Sequence, residues 1–285
     1  MDAPEAQDAL VARLLPPLLD AAHEAGRAVM RHRAAGFDVE RKADRSVVTA
    51  ADRDAEAVIL AVLARIAPAI PVVAEEESAA GRQPDPAPRF FLVDPLDGTR
   101  EYVSGGDDFT VNIALIEGAA PVMGIVYAPA SAVIYWGAAG QGAFRAALPI
   151  DGARKAARPI ACAHPAATPR AVASKSHATP ETEAYLDACG AGERLSIGSS
   201  LKFLLVAAGE ADLYPRAGPT MEWDTAAGDA VLRAAGGMTC DLDGTPLRYG
   251  KARFFNPGFV AVGRGAARPL GPFVPDPQTA PGPRT

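Results

Sequence analysis

The pattern of apolar residues changes near Leu148, and this change constrains the fold more than any other feature of the chain. Before it, two helical patterns are followed by closely spaced strand patterns between Val72 and Trp136. After it, short strand patterns alternate with helical patterns, which is typical of an α/β unit. We therefore predict an α/β protein with an α+β half at residues 1–148, its largely antiparallel sheet covered by helices on one side, and an α/β half at residues 149–265.

The composition of the chain limits which binding partners and which cellular location we expect for the protein. The 285 residues carry a net charge of −6 without a Lys/Arg-rich block, which argues against nucleic acid and anionic membranes as main partners. The start of the chain lacks the order of a signal peptide, and no apolar run reaches membrane-spanning length. We expect a cytoplasmic protein without stable membrane insertion, either monomer or homodimer, with loose association at the inner membrane face left open. Residues 266–285 are Pro-rich without periodicity and are predicted to form a disordered tail.

The stretch "FFLVDPLDGTREYV" ends a buried strand pattern on two acids, Asp94 and Asp97. A strand-to-helix turn would explain part of it, because Pro95 sets φ and Gly98 permits positive φ. One such turn seldom needs both acids. Two carboxylates placed so close would repel each other unless something binds between them.

Further acids stand at the ends of predicted strands or the starts of helices. Asp52 has a simpler explanation as the acid of a capping box opened by Thr49, and Asp224 has one as a helix N-cap. The run Glu75–Glu77 also has a simpler explanation, as a solvated strand end. Taken together, these acids favour a shared hard cation with oxygen ligands, and Mg²⁺ suits carboxylates, a backbone carbonyl and phosphate oxygens.

Such a site predicts phosphate-ester hydrolysis. Asp94, the carbonyl of Leu96 and Asp97 would converge on the ions. Backbone N–H groups of Gly98 and Thr99 would face a phosphate. The Thr99 hydroxyl, together with the acid at position 52, would orient the nucleophilic water.

Two motifs, "DPLDGTREYV" and "EWDTAAGDAVLRAAGG", resemble the signatures of the inositol monophosphatase superfamily of Mg²⁺-dependent, lithium-sensitive phosphatases. The resemblance runs from about Leu18 to Val262 and implies a layered α-β-α-β-α sandwich of the sugar-phosphatase type. It implies two or three Mg²⁺ ions per site. The implied ligands are Glu75, Asp94, Leu96, Asp97 and Asp224, with Glu76 as the alternative to Glu75, and the implied catalytic residues are Asp52, Thr99 and Glu75.

Within this superfamily, "GTREY" is similar to the 3'(2'),5'-bisphosphate nucleotidases, whereas inositol phosphatases usually have GTTNF there. This branch is linked to sulfur assimilation and converts adenosine 3',5'-bisphosphate to AMP, with 3'-phosphoadenosine 5'-phosphosulfate as a further candidate substrate. The branch often has His where this chain has Asp229, which predicts a small difference in the nucleotide pocket.

A bisphosphate needs a second anion site, and the start of a helix at Gly198, Ser199 and Ser200, with Lys202 in its first turns, offers donors and a cation. The alternatives are a plain cap for the two serines and a surface loop for His177. The substrate-binding residues predicted for the whole site are Glu75, Leu96, Asp97, Gly98, Thr99, Ser176, His177, Gly198, Ser199, Ser200, Lys202, Arg216 and Asp224.

Two other functions stay open. One is a phosphatase of the same superfamily that acts on inositol monophosphate or fructose 1,6-bisphosphate. Activity measured on a panel of substrates distinguishes it from a bisphosphate nucleotidase. The other is a non-catalytic metal- or nucleotide-binding module, against which the complete set of acids and Thr99 argues. The glycines of "GAAGQGAF" form no dinucleotide or P-loop fingerprint and predict a hairpin turn.

Overall fold

Two helices near the start of the chain pack against each other and cover one face of the first sheet. The structure is a computed structural model and describes residues 6–36, 39–41, 47–85, 87–164, 166–175, 179–265 and 267–274. Helix α1 spans Gln7–Ala35 and helix α2 spans Ala50–Ile66. Between them, β1 (Val39–Arg41) and β2 (Val47–Thr49) form an antiparallel pair. The buried side of α2 includes Asp52 and Glu56 beside apolar residues, which hydrophobic periodicity does not predict.

The first sheet contains, within the described residues, seven strands in the order β3-β4-β5-β6-β7-β8-β9. Their bounds are β3 Val72–Ala74, β4 Arg89–Asp97, β5 Thr110–Glu117, β6 Ala120–Ala128, β7 Val133–Ala138, β8 Gly142–Ala147 and β9 Arg158–Ile160. The first pair is parallel and the others are antiparallel, so the predicted largely antiparallel sheet is confirmed. The predicted hairpin turn at "GAAGQGAF" is the connection between β7 and β8.

The second sheet is built from the alternating part of the chain, and the predicted order of its elements is confirmed. Its strands lie in the order β11-β10-β12-β16-β14. They are β10 Ala171–Ser174, β11 Arg194–Ile197, β12 Leu213–Arg216, β14 Met238–Cys240 and β16 Phe259–Val262, and the helices are α5 Pro180–Ala188, α6 Leu201–Ala207 and α7 Trp223–Ala234. Sequence patterns missed β14 and the antiparallel pair of β13 (Thr220–Met221) with β15 (Phe255–Asn256), because strands this short show no clear alternation.

Helix α7 lies between the two sheets and completes the layers. It packs on β4 to β8 of the first sheet and on β14 of the second, while α6 packs on α7. Helix α5 packs on β12 at the outside of the second sheet. The predicted α-β-α-β-α order is therefore confirmed. The prediction that helices cover one side of the first sheet is wrong, because a helix from the second half covers its other face.

Two glycines of the first sheet allow α7 to lie this close. A Cβ atom at Gly124 would stand 2.3 Å from the carbonyl oxygen of Ala227, and one at Gly137 would stand 2.9 Å from the Cα atom of Val231. Glycine inside a strand is typical of such close approach. The position of α7, and of Asp224 in its first turn, therefore depends on glycine, which has no side chain, at these two positions of β6 and β7.

The C-terminal segment differs from its prediction. Leu270 is fully buried, and Phe273 packs edge-on against Tyr185 with 5.4 Å between ring centroids. The Tyr185 hydroxyl also donates to the carbonyl of Arg268 at 2.8 Å. Residues 267–274 therefore belong to the packed outer layer and not to a disordered tail, because two apolar side chains anchor a segment whose composition alone indicates disorder. Residues 275–285 lie outside the described part of the chain.

The boundary between the predicted halves falls where the first sheet is still being formed. Strand β9 pairs with β8, so the first sheet continues past Leu148. The division at residue 148 stays a prediction.

Candidate active site

A pocket of about 460 Å³ opens between the two sheets, within the usual size of small-molecule sites. The first half contributes the start of α3 (Glu75–Ala79), the end of β4 and the start of α4 (Thr99–Val103), and the second half contributes α6, β12 and α7. The predicted residues that line it are Glu75, Asp94, Leu96, Asp97, Gly98, Thr99, Gly198, Ser199, Ser200, Lys202, Arg216 and Asp224. Ser176 and His177, also predicted to bind substrate, lie outside the described residues.

Strand β4 ends in an irregularity that brings Asp94 and Asp97 to the same pocket. The two acids pair with Asn112 and Thr110 of β5, and the register shifts between them. Pro95 lies in the shifted segment and has no N–H to donate to the ladder. The Asp94 carboxylate accepts the N–H of Leu96 at 3.0 Å, which tightens the turn.

The carboxylates of the pocket raise one another's pKa. Burial raises the pKa of Asp94 well above its ordinary value, and the charges of Glu75, Asp97 and Asp224 raise it further. Burial likewise raises the pKa of Asp224 well above its ordinary value, with added repulsion from Asp97 and Glu75. Burial raises the pKa of Asp97 to about 6, against the opposing effect of Lys202. A cation among these groups would remove the repulsion.

The donor set fits Mg²⁺ by its chemistry. The carboxylates of Glu75, Asp94, Asp97 and Asp224 and the carbonyl of Leu96 offer oxygen atoms, which hard divalent ions prefer. Over the described ranges, no three His, Cys, Asp or Glu side chains are already arranged to hold a metal ion.

Gly98 shapes the turn between β4 and α4. Its φ is 90°, and a Cβ atom there would stand 2.6 Å from the carbonyl oxygen of Asp108. A larger residue is excluded by both conformation and space. The turn therefore places the N–H groups of Gly98 and Thr99 at the pocket end of a short helix.

Asp52 forms the predicted capping box and also contacts Thr99. Its Oδ2 atom accepts the backbone N–H and the hydroxyl of Thr49, both at 2.8 Å, as the acid of a capping box. Its Oδ1 atom lies 3.3 Å from the Thr99 hydroxyl, which is also 3.0 Å from the carbonyl of Leu96. The cap holds the carboxylate in the position from which it reaches the site.

The structure favours Glu75 over Glu76 as the candidate ligand. Glu75 lines the pocket, whereas the carboxylate of Glu77 binds Arg82 at 2.5 Å and 2.7 Å on the exposed side. Glu76 is absent from the described residues that line the pocket.

Asp224 is not the N-cap of α7. The cap position is Glu222, and the Asp224 carboxylate accepts the N–H of Met221 at 2.8 Å from within the first turn. This contact turns the carboxylate back over the start of the helix, where it faces the pocket.

The N–H groups at the start of α6 already have partners in the protein. The N–H of Gly198 donates to Asp108 at 3.2 Å, and the N–H of Ser200 donates to Asp97. The Ser200 hydroxyl donates to Asn112 at 2.8 Å. The N–H groups of Gly198 and Ser200 therefore hold the start of α6 against the first half of the chain, and a second phosphate site at this helix start stays a prediction.

Lys202 is 4% exposed and lies beside the candidate ligands. Its Nζ atom donates to the carbonyls of Ser199 at 2.5 Å and Ile197 at 3.3 Å, and lies 5.3 Å from the centroid of the Tyr214 ring. Burial lowers its pKa to about 8, and the charge of Asp97 opposes this effect. Two of the three donors of the ammonium group are used by these carbonyls.

Arg216 supplies a second cation at the end of β12. Its guanidinium donates to the carbonyls of Gly218 at 3.2 Å and Pro219 at 3.3 Å, and its charge lowers the pKa of Asp224 against the dominant effect of burial. These two carbonyls orient the guanidinium group, and Arg216 lines the pocket.

Asp229 does not take part in the pocket. It is fully buried, forms an ion pair with Arg233 at 2.9 Å and accepts the Tyr249 hydroxyl at 2.9 Å. Its side chain leaves α7 on a different face from Asp224, and an effect of this position on the nucleotide pocket stays a prediction.

Sequence reasoning missed two residues near the pocket. Phe255 lines it with a ring that is 40% exposed, and the apolar motif "FFNPGF" contains no signal for this. Glu56, which is 3% exposed, lies behind the pocket. Burial raises its pKa to about 7, although hydrogen bonds from the N–H groups of Glu76 and Glu77 oppose this shift. Its spacing of four residues from Asp52 on one helix was the available signal.

Comparison with known sequences agrees with this architecture. The sequence model of the Inositol monophosphatase family matches residues 11–267. The chain belongs to this family. A family relative from Shigella flexneri, 3'(2'),5'-bisphosphate nucleotidase CysQ, is 45% identical over 254 residues, which cover 86% of this chain and 98% of the relative.

Solved structures of the inositol monophosphatase family share the fold. CysQ from Bacteroides thetaiotaomicron is similar with a TM-score of 0.74 and 36% identity, over 92% of this chain and 100% of that chain. Inositol monophosphatase from Anabaena (Nostoc) sp. PCC 7120 is similar with a TM-score of 0.68 and 26% identity, over 88% of this chain and 90% of that chain. In the part of this chain that the structure describes, no helix has the length and apolar character needed to span a membrane.

Proposed function

We propose that this member of the inositol monophosphatase family is a Mg²⁺-dependent phosphomonoesterase that converts adenosine 3',5'-bisphosphate to AMP and phosphate. We extend the proposal to 3'-phosphoadenosine 5'-phosphosulfate as a second substrate. One observation carries it: acidic and basic side chains from both halves of the chain line one pocket, among them the four acids Glu75, Asp94, Asp97 and Asp224 and the cations Lys202 and Arg216. The bisphosphate nucleotidases among the relatives support the choice of a nucleotide.

The acids would hold the ions. Glu75, Asp94, Asp97, Asp224 and the carbonyl of Leu96 are the proposed ligands. Bound Mg²⁺ would supply positive charge at the phosphate and a lowered pKa for a bound water.

Thr99 and Asp52 would orient the nucleophile. The Thr99 hydroxyl has one proton, which it donates to Asp52 or to the carbonyl of Leu96. Its oxygen then accepts a hydrogen bond from water and fixes the position of that water. The N–H groups of Gly98 and Thr99 begin α4, lack partners within it and would bind the phosphate that is cleaved.

Recognition beyond that phosphate would fall to the second half of the chain. Lys202 has one donor beyond those used by carbonyls, and Arg216 presents a second charge. Ser199, which precedes Lys202 in the sequence, lines the same pocket and offers a hydroxyl. The exposed ring of Phe255 offers an apolar face for the adenine.

The test is phosphate release from adenosine 3',5'-bisphosphate, inositol 1-phosphate and fructose 1,6-bisphosphate, each with and without Mg²⁺. We expect Mg²⁺-dependent release with the highest kcat/KM for the nucleotide. A preference for inositol 1-phosphate or fructose 1,6-bisphosphate would move the protein to another branch of the family. No release from any ester would indicate a non-catalytic binding module.

Lys202→Ala tests recognition of the second phosphate. Loss of one charge-assisted contact should cost about 1.5–3 kcal/mol, roughly a tenfold to hundredfold loss in kcat/KM for the bisphosphate. A simple monophosphate should lose much less. Equal losses on both substrates would instead assign Lys202 to the support of Asp97.

Phe255→Ala tests the adenine contact against a matched control. Leu195 is the other large hydrophobic residue that is exposed among the described residues, at 37%, and it does not line the pocket. We expect Phe255→Ala to raise KM for the nucleotide and Leu195→Ala to leave it unchanged. The same KM in both variants would remove Phe255 from the proposal.

A further inference from the structure

Glu56 is an acid of α2 whose carboxylate supports a different element, the short helix α3. Its Oε2 atom accepts the N–H of Glu76 at 2.8 Å, and its Oε1 atom accepts the N–H of Glu77 at 2.9 Å. The first N–H groups of a helix have no partner within it, and Ala74 at the cap position provides no side-chain acceptor. Glu56 therefore supplies from another helix the cap that the local sequence lacks.

The residue type at position 56 matches this task. Each carboxylate oxygen accepts one N–H, whereas the side chain of glutamine has a single acceptor atom. The carboxylate is buried next to a helix that begins with three glutamates, so its charge is unfavourable there. An acid in this place is explained by the two hydrogen bonds that only two acceptor oxygens can make.

The turn that Glu56 holds begins at a candidate ligand. Glu75 lines the pocket, and the two residues that follow it donate to Glu56. One helical turn earlier on α2, Asp52 reaches the Thr99 hydroxyl. One side of α2 therefore contacts two segments of the site, although neither of its acids is among the described residues that line the pocket.

We propose that Glu56 is a positioning residue that fixes the backbone of α3 and so holds Glu75 in place to bind an ion. The identity of the ion rests on the proposed function, whereas the hold over α3 rests on the hydrogen bonds alone. Loss of the hold would weaken ion binding without removing any group that contacts the substrate.

Glu56→Gln tests the proposal, because it keeps the size of the side chain and removes one acceptor. Titration calorimetry with Mg²⁺ alone should show a Kd raised roughly tenfold to hundredfold, the range known for residues that orient metal ligands. At saturating Mg²⁺, KM for the nucleotide should match the wild type. Asp229→Asn is the control, since it alters a buried acid outside the pocket and should keep the wild-type Kd for Mg²⁺.

A wild-type Kd in Glu56→Gln, or an equal rise in Asp229→Asn, would overturn the proposal. If Glu56→Gln does not fold, Glu56→Asp keeps the charge on a shorter side chain and should raise the Kd to a smaller extent; an unchanged Kd there would also overturn it. A wild type that binds no Mg²⁺ would refute the proposed function instead. The hold over α3 would then be judged by amide hydrogen exchange, which should be faster at Glu76 and Glu77 in the variant and would contradict the hold if unchanged.

Discussion

Helices α2 and α7 each carry two acids withdrawn from solvent, but only α2 directs both of them toward the candidate active site. Asp52 and Glu56 contact segments of the site, whereas on α7 only Asp224 faces the pocket. At about 100° per residue, acids four residues apart lie about 40° apart around a helix, and acids five apart lie about 140° apart. Asp229 is therefore turned away from the pocket by its spacing.

The partners of these acids differ as well. The acids of α2 accept hydrogen bonds from neutral N–H and hydroxyl groups, whereas Asp229 faces the cation of Arg233. A carboxylate near a signature motif therefore acquires its role from the side of the helix on which it lies. Its distance from the motif along the chain is a poor guide.

The largest effect should come from Asp224→Asn, which removes the pocket-facing acid of α7. We expect the activation free energy to rise by about 4 kcal/mol, which corresponds to a roughly thousandfold fall in kcat/KM. The melting temperature in EDTA should stay the same or rise, because repulsion with Asp97 and Glu75 is relieved. Near-normal Mg²⁺-dependent turnover would contradict the assignment of Asp224 as a ligand.

Asp229→Asn should show the opposite profile. It breaks a buried ion pair and leaves Arg233 without its partner, at a cost of about 3 kcal/mol and a fall in Tm of roughly 6–12 °C. Activity well below the Tm should stay close to the wild type. In the double variant with Arg233→Leu much of the stability should return, because no unpaired charge is left. A selective loss of activity without loss of stability would place Asp229 in the site after all.

The smallest effect concerns the pH dependence of stability without metal. Asp97 has a folded pKa of about 6, above its ordinary value of 3.8, so the folded chain binds this proton more tightly. Its contribution to stability is fully present below about pH 4 and is lost as pH rises through about 6. In EDTA, the wild type should therefore lose stability over this range. Asp97→Asn should reduce the loss, and Asp229→Asn should not; equal pH profiles in all three proteins would contradict the prediction.

Local chemistry made the candidate ligands predictable. Asp94, Pro95 and Gly98 act within one turn, where φ limits and short-range hydrogen bonds determine the conformation. The capping box at Thr49 is equally local. The alternation of strands and helices in the second half was predictable for the same reason, since hydrophobic period is a property of neighbouring residues.

Contacts between distant segments were not predictable in this way. The N–H groups at Gly198 and Ser200 were expected to be available, but they pair with Asp108 and Asp97, about a hundred residues away in the chain. The packing of Leu270 was hidden by the composition of its segment. Which partner a buried polar group finds depends on what the fold brings beside it.

By itself, the sequence determined the order of the elements, the two motifs and the acids at the ends of β4 and the start of α7, because these follow from periodicity and from turns of a few residues. Only the tertiary structure decided that α7 lies between the sheets, that Glu75 faces the pocket in preference to Glu76, and that Glu56 holds the segment behind it. These outcomes depend on close packing and on the pairing of buried donors with acceptors, which act between residues far apart in the chain.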